Sequence, residues 1–343
     1  MPTIDAPTLE RLTRDIFAAR GVPGDDATWI ATLLVRANLR GHDSHGVIRI
    51  PHYVRSMKSG DANPTPKIMI VVETPTVALI DGDRGFGQVV AKRGIALAID
   101  KARAQGLAAV TLRNTNHVGR LADYAEMAAA EGLIGMLWVN ARMALNVAPW
   151  GGAARRLGTN PHAVAVPGPD GAVAMSLDFA TSVIAEGKLK VKLNRGERVA
   201  PGIMLNAAGQ PSTDPREFYA DPPGSLLTAG EHKGYGLSLA VEILAGILSG
   251  TGGARAEKGP VRNGTLMVCL DVQRFLPLPR FHEEVMALFG WVRSAPLASG
   301  AKEILIPGEP EARMEGERRV HGIPVEDETW RQIQECAAEV GVA

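Results

Sequence analysis

The sequence predicts an α/β or α+β fold of two or three lobes, with helical ends and a strand-rich middle. Three observations carry this reading. Segments with apolar residues at helical spacing alternate with short β-branched runs along the chain. At 343 residues the chain is longer than one average domain. Its 45% hydrophobic and 22% charged residues are ordinary globular composition, uninterrupted by repeats or low-complexity tracts.

From the N-terminus, Asp5 and Pro7 open a helix whose Leu9, Leu12, Ile16 and Phe17 share one face. Glycines at 21 and 24 break it, and Asp25 and Asp26 are placed to cap a second helix carrying Trp29, Ile30, Leu33 and Leu34. Strands are expected at 68–72 and 77–80, a turn at 81–83, a helix over 88–104 and a strand at 108–112. A loop at 114–119 then leads into an Ala-rich helix at 121–130 and a strand at 135–139. Residues 140–230 are rich in Gly, Pro and short apolar runs, which suits strands and long functional loops. Residues 234–248 read as a buried helix, 251–263 as an exposed loop, 266–270 as a strand and 281–288 as the opening of another helix. Ile304, Leu305 and Ile306 read as a strand ended by Pro307-Gly308-Glu309, and a charged segment connects it to a last helix over 326–340.

Charge and cysteine usage exclude several classes of function. Lys plus Arg equals Asp plus Glu at 37 each, with the signs interspersed, so no basic stripe exists for nucleic acid. The two cysteines, Cys269 and Cys336, are far apart and form no CxxC, which argues against a disulfide framework and a thiolate metal site. No signal peptide is visible. The most apolar run, 237–248, is too short to span a bilayer and contains Ser238 and Glu242, so a cytoplasmic location is expected.

A GxGxxG fingerprint would open a helix directly after a strand. The nearest approaches, Gly85-Phe86-Gly87 and Gly234-Tyr235-Gly236, lack the third glycine, and no P-loop motif exists, so a Rossmann domain is disfavoured. The densest chemistry is Gly41-His42-Asp43-Ser44-His45-Gly46-Val47-Ile48-Arg49. A hydroxyl beside an imidazole suits a general acid/base, and Arg49, one helical turn on, could fork onto a carboxylate. The plainer explanation is a helix C-terminus with its histidines at the negative dipole end and Arg49 in a salt bridge. A metal site from His42, His45 and His52 is a weaker third reading, since no HExxH or carboxylate triad accompanies it.

Asn114-Thr115-Asn116-His117-Val118-Gly119-Arg120 lies between a strand and a helix, where free amides and Arg120 could attract a phosphate. His117 sits in the expected loop, outside any apolar stripe, yet a single loop histidine is more often incidental than catalytic. Gly158-Thr159-Asn160-Pro161 is a turn. The run Ser176-Leu177-Asp178-Phe179-Ala180-Thr181-Ser182 fits a strand end at a ligand or an edge strand with polar caps equally well. His232-Lys233-Gly234-Tyr235-Gly236 could allow close backbone approach, and Glu309 could accept ribose hydroxyls. A Ser-His hydrolase is disfavoured, because neighbouring Ser44 and His45 do not easily bond as nucleophile and base and no GxSxG elbow exists.

Taken together, these segments resemble the type-2 malate/L-lactate dehydrogenase family. The resemblance runs from 41–49 through NxxHxGR, GTNP, LDFATS and HKGYGL to PGEPE, and closes with Arg319-Val320-His321-Gly322-Ile323. The runs at 41–46 and 231–235 look closest to the bacterial hydroxycarboxylate dehydrogenase branch. The resemblance implies a non-Rossmann α/β fold with a mixed sheet in the cofactor domain. One lobe of residues 1–115 with 310–343 and an NAD(P)-binding domain of 116–309 are then expected. It also implies hydride transfer between NAD or NADP, with NAD slightly preferred, and a small 2-hydroxy or 2-oxo acid, in a homodimer with shared active sites.

Residue by residue, Ser44 and His45 match the family's active-site pair, Arg49 its carboxylate ligand, His117 a proton-transfer position and Thr159 a substrate-side position. His45, Gly119, Arg120, Leu121, Ser176, Leu177, Asp178, Phe179, Ala180, His232, Pro307, Gly308 and Glu309 match cofactor positions. Imine-reducing relatives carry an Asp where this chain has Lys188, which favours hydroxy acids over cyclic imines. A catalytically silent small-acid or nucleotide-binding module is the non-enzymatic alternative, and retention of Ser44, His45, Arg49 and His117 together speaks against it.

Overall fold

The N-terminal stretch forms a short strand β1 (Thr3–Ile4) and three helices, α1 (Ala6–Ala18), α2 (Gly24–Leu39) and α3 (Ile50–Lys58). Asp5 caps α1 by accepting from the Thr8 N–H at 2.9 Å, and Leu9, Ile16 and Phe17 are buried as their spacing predicts. Pro23 precedes α2, so Asp25 and Asp26 lie in its first turn, where they favour the dipole without capping it. Two 3-10 turns, Asp43–His45 and Val47–Arg49, separate α2 from α3. Helix α3 is not among the elements expected from the sequence. The computed structural model of the protein describes residues 1–256 and 259–342.

The chain continues through β2 (Met69–Glu73), β3 (Val77–Asp81), α4 (Gly87–Gln105), β4 (Leu107–Thr115), α5 (Ala122–Ala130), β5 (Leu133–Ala141), β6 (His162–Pro167) and β7 (Val173–Phe179). A small lobe follows, built from α6 (Glu186–Asn194), β8 (Met204–Leu205), β9 (Pro211–Ser212), α7 (Pro215–Phe218) and β10 (Ser225–Leu226) around Leu157, Leu189, Met204, Phe218 and Leu226. After it come α8 (His232–Val241), a π-helical turn at Glu242–Ile247, β11 (Asn263–Asp271) and α9 (Leu278–Arg293). The chain ends with α10 (Glu309–His321), β12 (Ile323–Pro324) and α11 (Asp327–Ala338).

One seven-stranded sheet in the order β2-β3-β4-β11-β5-β6-β7 organises the molecule. Within it β3 and β4 run parallel and the other neighbours, among the described residues, antiparallel, so the sheet is mixed. The late strand β11 inserts between β4 and β5 and pairs with both. This brings Asn263 opposite Thr115 and Ala141, the strand ends from which two functional loops depart. Val90, Ile95, Tyr124 and Ala128 of α4 and α5 pack with Val110, Leu112, Leu137 and Met267 of the sheet. A second core joins α1, α2 and α3 to α11 through Leu9, Phe17, Ile30, Ile50, Tyr53 and Ile333. The border expected after residue 115 falls at the end of β4, which pairs with β11 on its far side, so the sheet runs across it.

Several expectations need correction. Residues 304–306 form no strand; the Ile306 N–H instead donates to the Glu309 carboxylate at 2.8 Å, which starts α10. The charged segment after it is α10 itself, a helix with no buried residue and therefore no apolar period to betray it. The helix expected to be buried at 234–248 leaves Leu239, Ile243, Ile247 and Leu248 exposed, the last two at 58% and 59%. Within 251–263 Thr251 is buried and Asn263 already belongs to β11, while Glu257 and Lys258 lie outside the described residues. Asn114 and Thr115, expected in a loop, are the last residues of β4.

Candidate active site

The polar cluster folds as the 3-10 turn Asp43–His45, fixed from behind by two side chains. Asn38 at the end of α2 donates to Asp43 at 2.7 Å and accepts from the Val47 N–H at 2.8 Å, tying both sides of the turn together. Arg318 of α10 adds an ion pair to Asp43 at 2.6 Å and a hydrogen bond to the Asn38 carbonyl. Held this way, Ser44 Oγ lies 3.0 Å from His45 Nδ1. The adjacency that argued against such a bond is overcome because the tight turn brings consecutive side chains to one side. Arg49 donates from Nε to the Ser44 carbonyl at 2.7 Å and pairs with no carboxylate among the described residues, so the salt bridge of the plainer explanation is not formed.

His117, 72 residues further along, arrives at the same place. Its ring stacks on His45 with centroids 5.5 Å apart and planes inclined by 27°. Tyr53 of α3 reaches His117 Nδ1 at 2.7 Å, and the Gln88 amide of α4 donates to the Tyr53 oxygen at 2.8 Å. With that oxygen accepting from Gln88, the Tyr53 hydrogen points at Nδ1, which places the proton of a neutral His117 on Nε2. Neither Tyr53 nor Gln88 was singled out from the sequence. Tyr53 stands one helical turn after Arg49, a spacing that could have flagged it, whereas nothing in the sequence marks Gln88.

Burial and positive neighbours make both imidazoles poor bases. His45 is pushed down to about 3, first by burial and then by Arg49, His42, Lys188 and Arg120. His117 lies well below its usual value, again by burial first and then by Arg49, His45 and His52. Burial pushes the Tyr53 hydroxyl up to about 12. No carboxylate is among the groups that act on either histidine. The site is thus neutral at its imidazoles and positive around them.

A cavity of about 210 Å³ adjoins the turn, and its wall gathers many of the expected residues: Ser44, His45, Gly119, Leu121, Thr159 and Phe179. Arg120, Asp178, Ala180 and Lys188 also line it. Among the described residues the N–H groups of Gly119, Arg120 and Leu121 find no acceptor in the protein, so they are available to a ligand. The start of α5 is different from expectation: the Asp178 carboxylate already accepts from the Ala122 N–H at 2.9 Å, filling the place envisaged for a phosphate. Arg120 adds no free charge either, because its guanidinium is buried against Asp123 at 2.7 Å and Glu126 at 2.8 Å.

The remaining expected cofactor positions lie outside the wall of this cavity. Ser176 donates its N–H to the Pro307 carbonyl at 2.9 Å and its hydroxyl to Glu126 at 2.7 Å, while Leu177 beside it is half-buried. Gly308 has a φ of 100°, and a Cβ there would come 3.1 Å from Ser176 Cβ, so only glycine suits this approach of the loop to β7. The Glu309 carboxylate is engaged by the Ile306 N–H and by Arg293 at 2.5 Å, so its side chain is not open to a ribose. His232, at the start of α8, packs edge-on against Trp150 with centroids 5.6 Å apart. Among the described residues no three or more His, Cys, Asp or Glu are grouped to hold a metal, so His42, His45 and His52 form no such cluster. Nor is any helix there long and apolar enough to cross a membrane.

Comparison with known proteins extends this picture to the whole chain. Residues 4–334 match the family model for malate/L-lactate dehydrogenase. Hydroxycarboxylate dehydrogenase B of Escherichia coli (strain K12) is 38% identical over 342 residues, covering 98% of this chain and 94% of that protein. Malate dehydrogenase of Pyrococcus horikoshii is 40% identical over 338 residues, covering 95% and 92%. A solved structure of a candidate malate/lactate dehydrogenase from E. coli superposes with a TM-score of 0.94 at 37% identity, over 100% of this chain and 96% of that one. The mixed sheet, the paired histidines at its rim and the match along nearly the full length agree: the chain belongs to the malate/L-lactate dehydrogenase family.

Proposed function

We propose that the protein is a nicotinamide-dependent dehydrogenase that interconverts small 2-hydroxy and 2-oxo acids of the malate, lactate or aryl-lactate type. One observation carries the reading: two neutral imidazoles, His45 and His117, stand 5.5 Å apart beside Arg49, a cation with no carboxylate of its own. The free N–H groups of Gly119, Arg120 and Leu121 and the glycine-dependent approach of Gly308 to Ser176 suit a dinucleotide, NAD or NADP. A nicotinamide held by these groups would supply the hydride acceptor for oxidation at C2 and the hydride donor for reduction.

The chain's own residues supply the rest. Arg49 holds the substrate carboxylate, which fixes the orientation of C2. A bound carboxylate also offsets the positive field of Arg49, so substrate binding raises the proton affinity of both histidines toward a useful range. In the oxidation direction the hydroxyl proton passes to an imidazole, and in reduction it returns to the oxygen. Ser44 orients His45 and Tyr53 orients His117, so each can serve as proton carrier or as the donor that binds the substrate oxygen.

The exposed apolar residues Leu239, Ile243, Ile247 and Leu248, together with Trp291 at 78% exposure on α9, support a homodimer. We place the division of the chain between the helical core of α1, α2, α3 and α11 and the sheet, which keeps the sheet whole.

The test follows NADH and NADPH absorbance with pyruvate, oxaloacetate, phenylpyruvate, hydroxyphenylpyruvate and a cyclic imine. Consumption of one nucleotide with an oxo acid is expected. Turnover of the imine alone would make the protein an imine reductase, and silence from a folded protein would favour a binding module. His45→Ala and His117→Ala then sort the two roles: full activity in either variant removes that histidine from the catalytic set.

A further inference from the structure

The helix α6 carries three lysines, and the fold uses two of them within its own lobe. Lys190 lies 4.8 Å above the Tyr219 ring, and Lys192 pairs with Glu197. Lys188 has no carboxylate partner among the described residues, although Glu186 is only two positions away, because Glu186 accepts from the Tyr219 hydroxyl at 2.6 Å. The side chain of Lys188 lines the same cavity as Ser44, His45 and Thr159. Its place there is enforced by Gly187, where a Cβ would sit 2.5 Å from Ser44 Cβ. Only a glycine lets α6 come this close to the catalytic turn, so the approach of Lys188 is built into the backbone. Asp178, the carboxylate on that wall, is held at the Ala122 N–H.

Two unpaired cations therefore act on His45, Lys188 on the wall of this cavity and Arg49 outside that wall, bonded to the Ser44 carbonyl. A substrate with one carboxylate answers Arg49 and leaves Lys188 facing water. A flexible stem ending in a point charge tolerates anionic groups of varied shape and reach, unlike the planar fork of Arg49. We propose that Lys188 is a specificity-determining residue that binds a second acidic group of the substrate, so that this site favours 2-oxo and 2-hydroxy diacids over monoacids. The inference rests on the reading of the site as one for 2-oxo acids.

The experiment compares the wild-type protein with Lys188→Met and Lys188→Arg, using oxaloacetate as diacid, pyruvate as monoacid, and the nucleotide that supports turnover. Loss of one charge-assisted contact predicts a fall in kcat/KM of about 10-fold for oxaloacetate in Lys188→Met. Pyruvate should lose several-fold less than oxaloacetate, because it feels only the changed field at His45, the KM for the nucleotide should stay unchanged, and Lys188→Arg should keep the preference for the diacid. Equal losses for both acids, or a raised nucleotide KM, would overturn the proposal and assign Lys188 to the cofactor or to the lobe. A wild-type protein that turns over pyruvate as well as oxaloacetate would overturn it while leaving the dehydrogenase reading intact.

Absence of turnover with every acid would instead strike the dehydrogenase reading. The proposal is then decided by calorimetric titration, in the absence of nucleotide, with tartronate and glycolate as diacid and monoacid. Tighter binding of tartronate that disappears in Lys188→Met supports it, and equal binding of the two overturns it.

Discussion

Arg120 and Arg49 both lower the proton affinity of His45, yet the fold treats them in opposite ways. Arg120 is buried within a closed set of charges. It pairs with Asp123 and Glu126, and Glu126 also meets Arg36 of α2 at 2.7 Å and Arg40, the residue that caps α2, at 2.6 Å. Glu315 of α10 completes the set at 2.8 Å from Arg40, so the network fastens α2, α5 and α10 to one another. Arg49, on a 3-10 turn, is half-buried, spends one N–H on the Ser44 carbonyl and has the rest of its fork unanswered. An arginine that the protein has already paired serves the scaffold, and one left unpaired beside two neutral imidazoles is reserved for a ligand.

Substitution at Arg120 should have the largest effect on folding. Arg120→Met leaves Asp123 buried with only Arg36, at 3.5 Å, for compensation, and a loss of about 3 kcal/mol in urea unfolding is expected. An unchanged midpoint would show that Arg36 and Arg40 balance the cluster by themselves, and the contrast with Arg49 would collapse. Arg49→Met should act on turnover, lowering kcat/KM for the 2-oxo acid by about 10²-fold through loss of orientation. Its cost in stability should not exceed the roughly 2 kcal/mol of one charge-assisted hydrogen bond. The His45 resonance in this variant should titrate above about 3, because a positive neighbour has gone. A stability loss equal to that of Arg120→Met would make Arg49 a scaffold residue as well.

A further effect is expected on acid stability. His45 takes its proton at about 3 when folded and at 6.5 in its unperturbed form, so between these values the unfolded chain binds the proton first. Stability should therefore fall as pH drops from 6.5 toward 3, with no contribution from this group above 6.5. Thermal midpoints of His45→Asn should fall less steeply than those of the wild type over that window. Parallel curves would mean that His45 is not held neutral by its surroundings.

Much of this molecule was legible before folding was considered. The stripe of Leu9, Ile16 and Phe17 predicted α1, because burial on one face imposes a period, and short apolar runs located the centres of β2, β3, β4, β5 and β11. Helix α10 escaped because it buries nothing and so carries no period, and α3 escaped behind the polar cluster. The residues 234–248 misled in the other direction: apolar character says that a surface avoids water, without saying whether its own chain covers it.

What the sequence by itself determined was local: the composition of the 41–49 cluster, the Ser44–His45 adjacency and the positions of the apolar stripes. Only the tertiary structure decided that His117 stacks on His45, that Tyr53 and Gln88 aim it, and that Arg120 is enclosed while Arg49 and Lys188 are not. The reason is physical. Whether a charge is structural or functional depends on which partners reach it, and those partners come from segments as far apart as residues 43 and 318, a distance that no local pattern of side chains can encode.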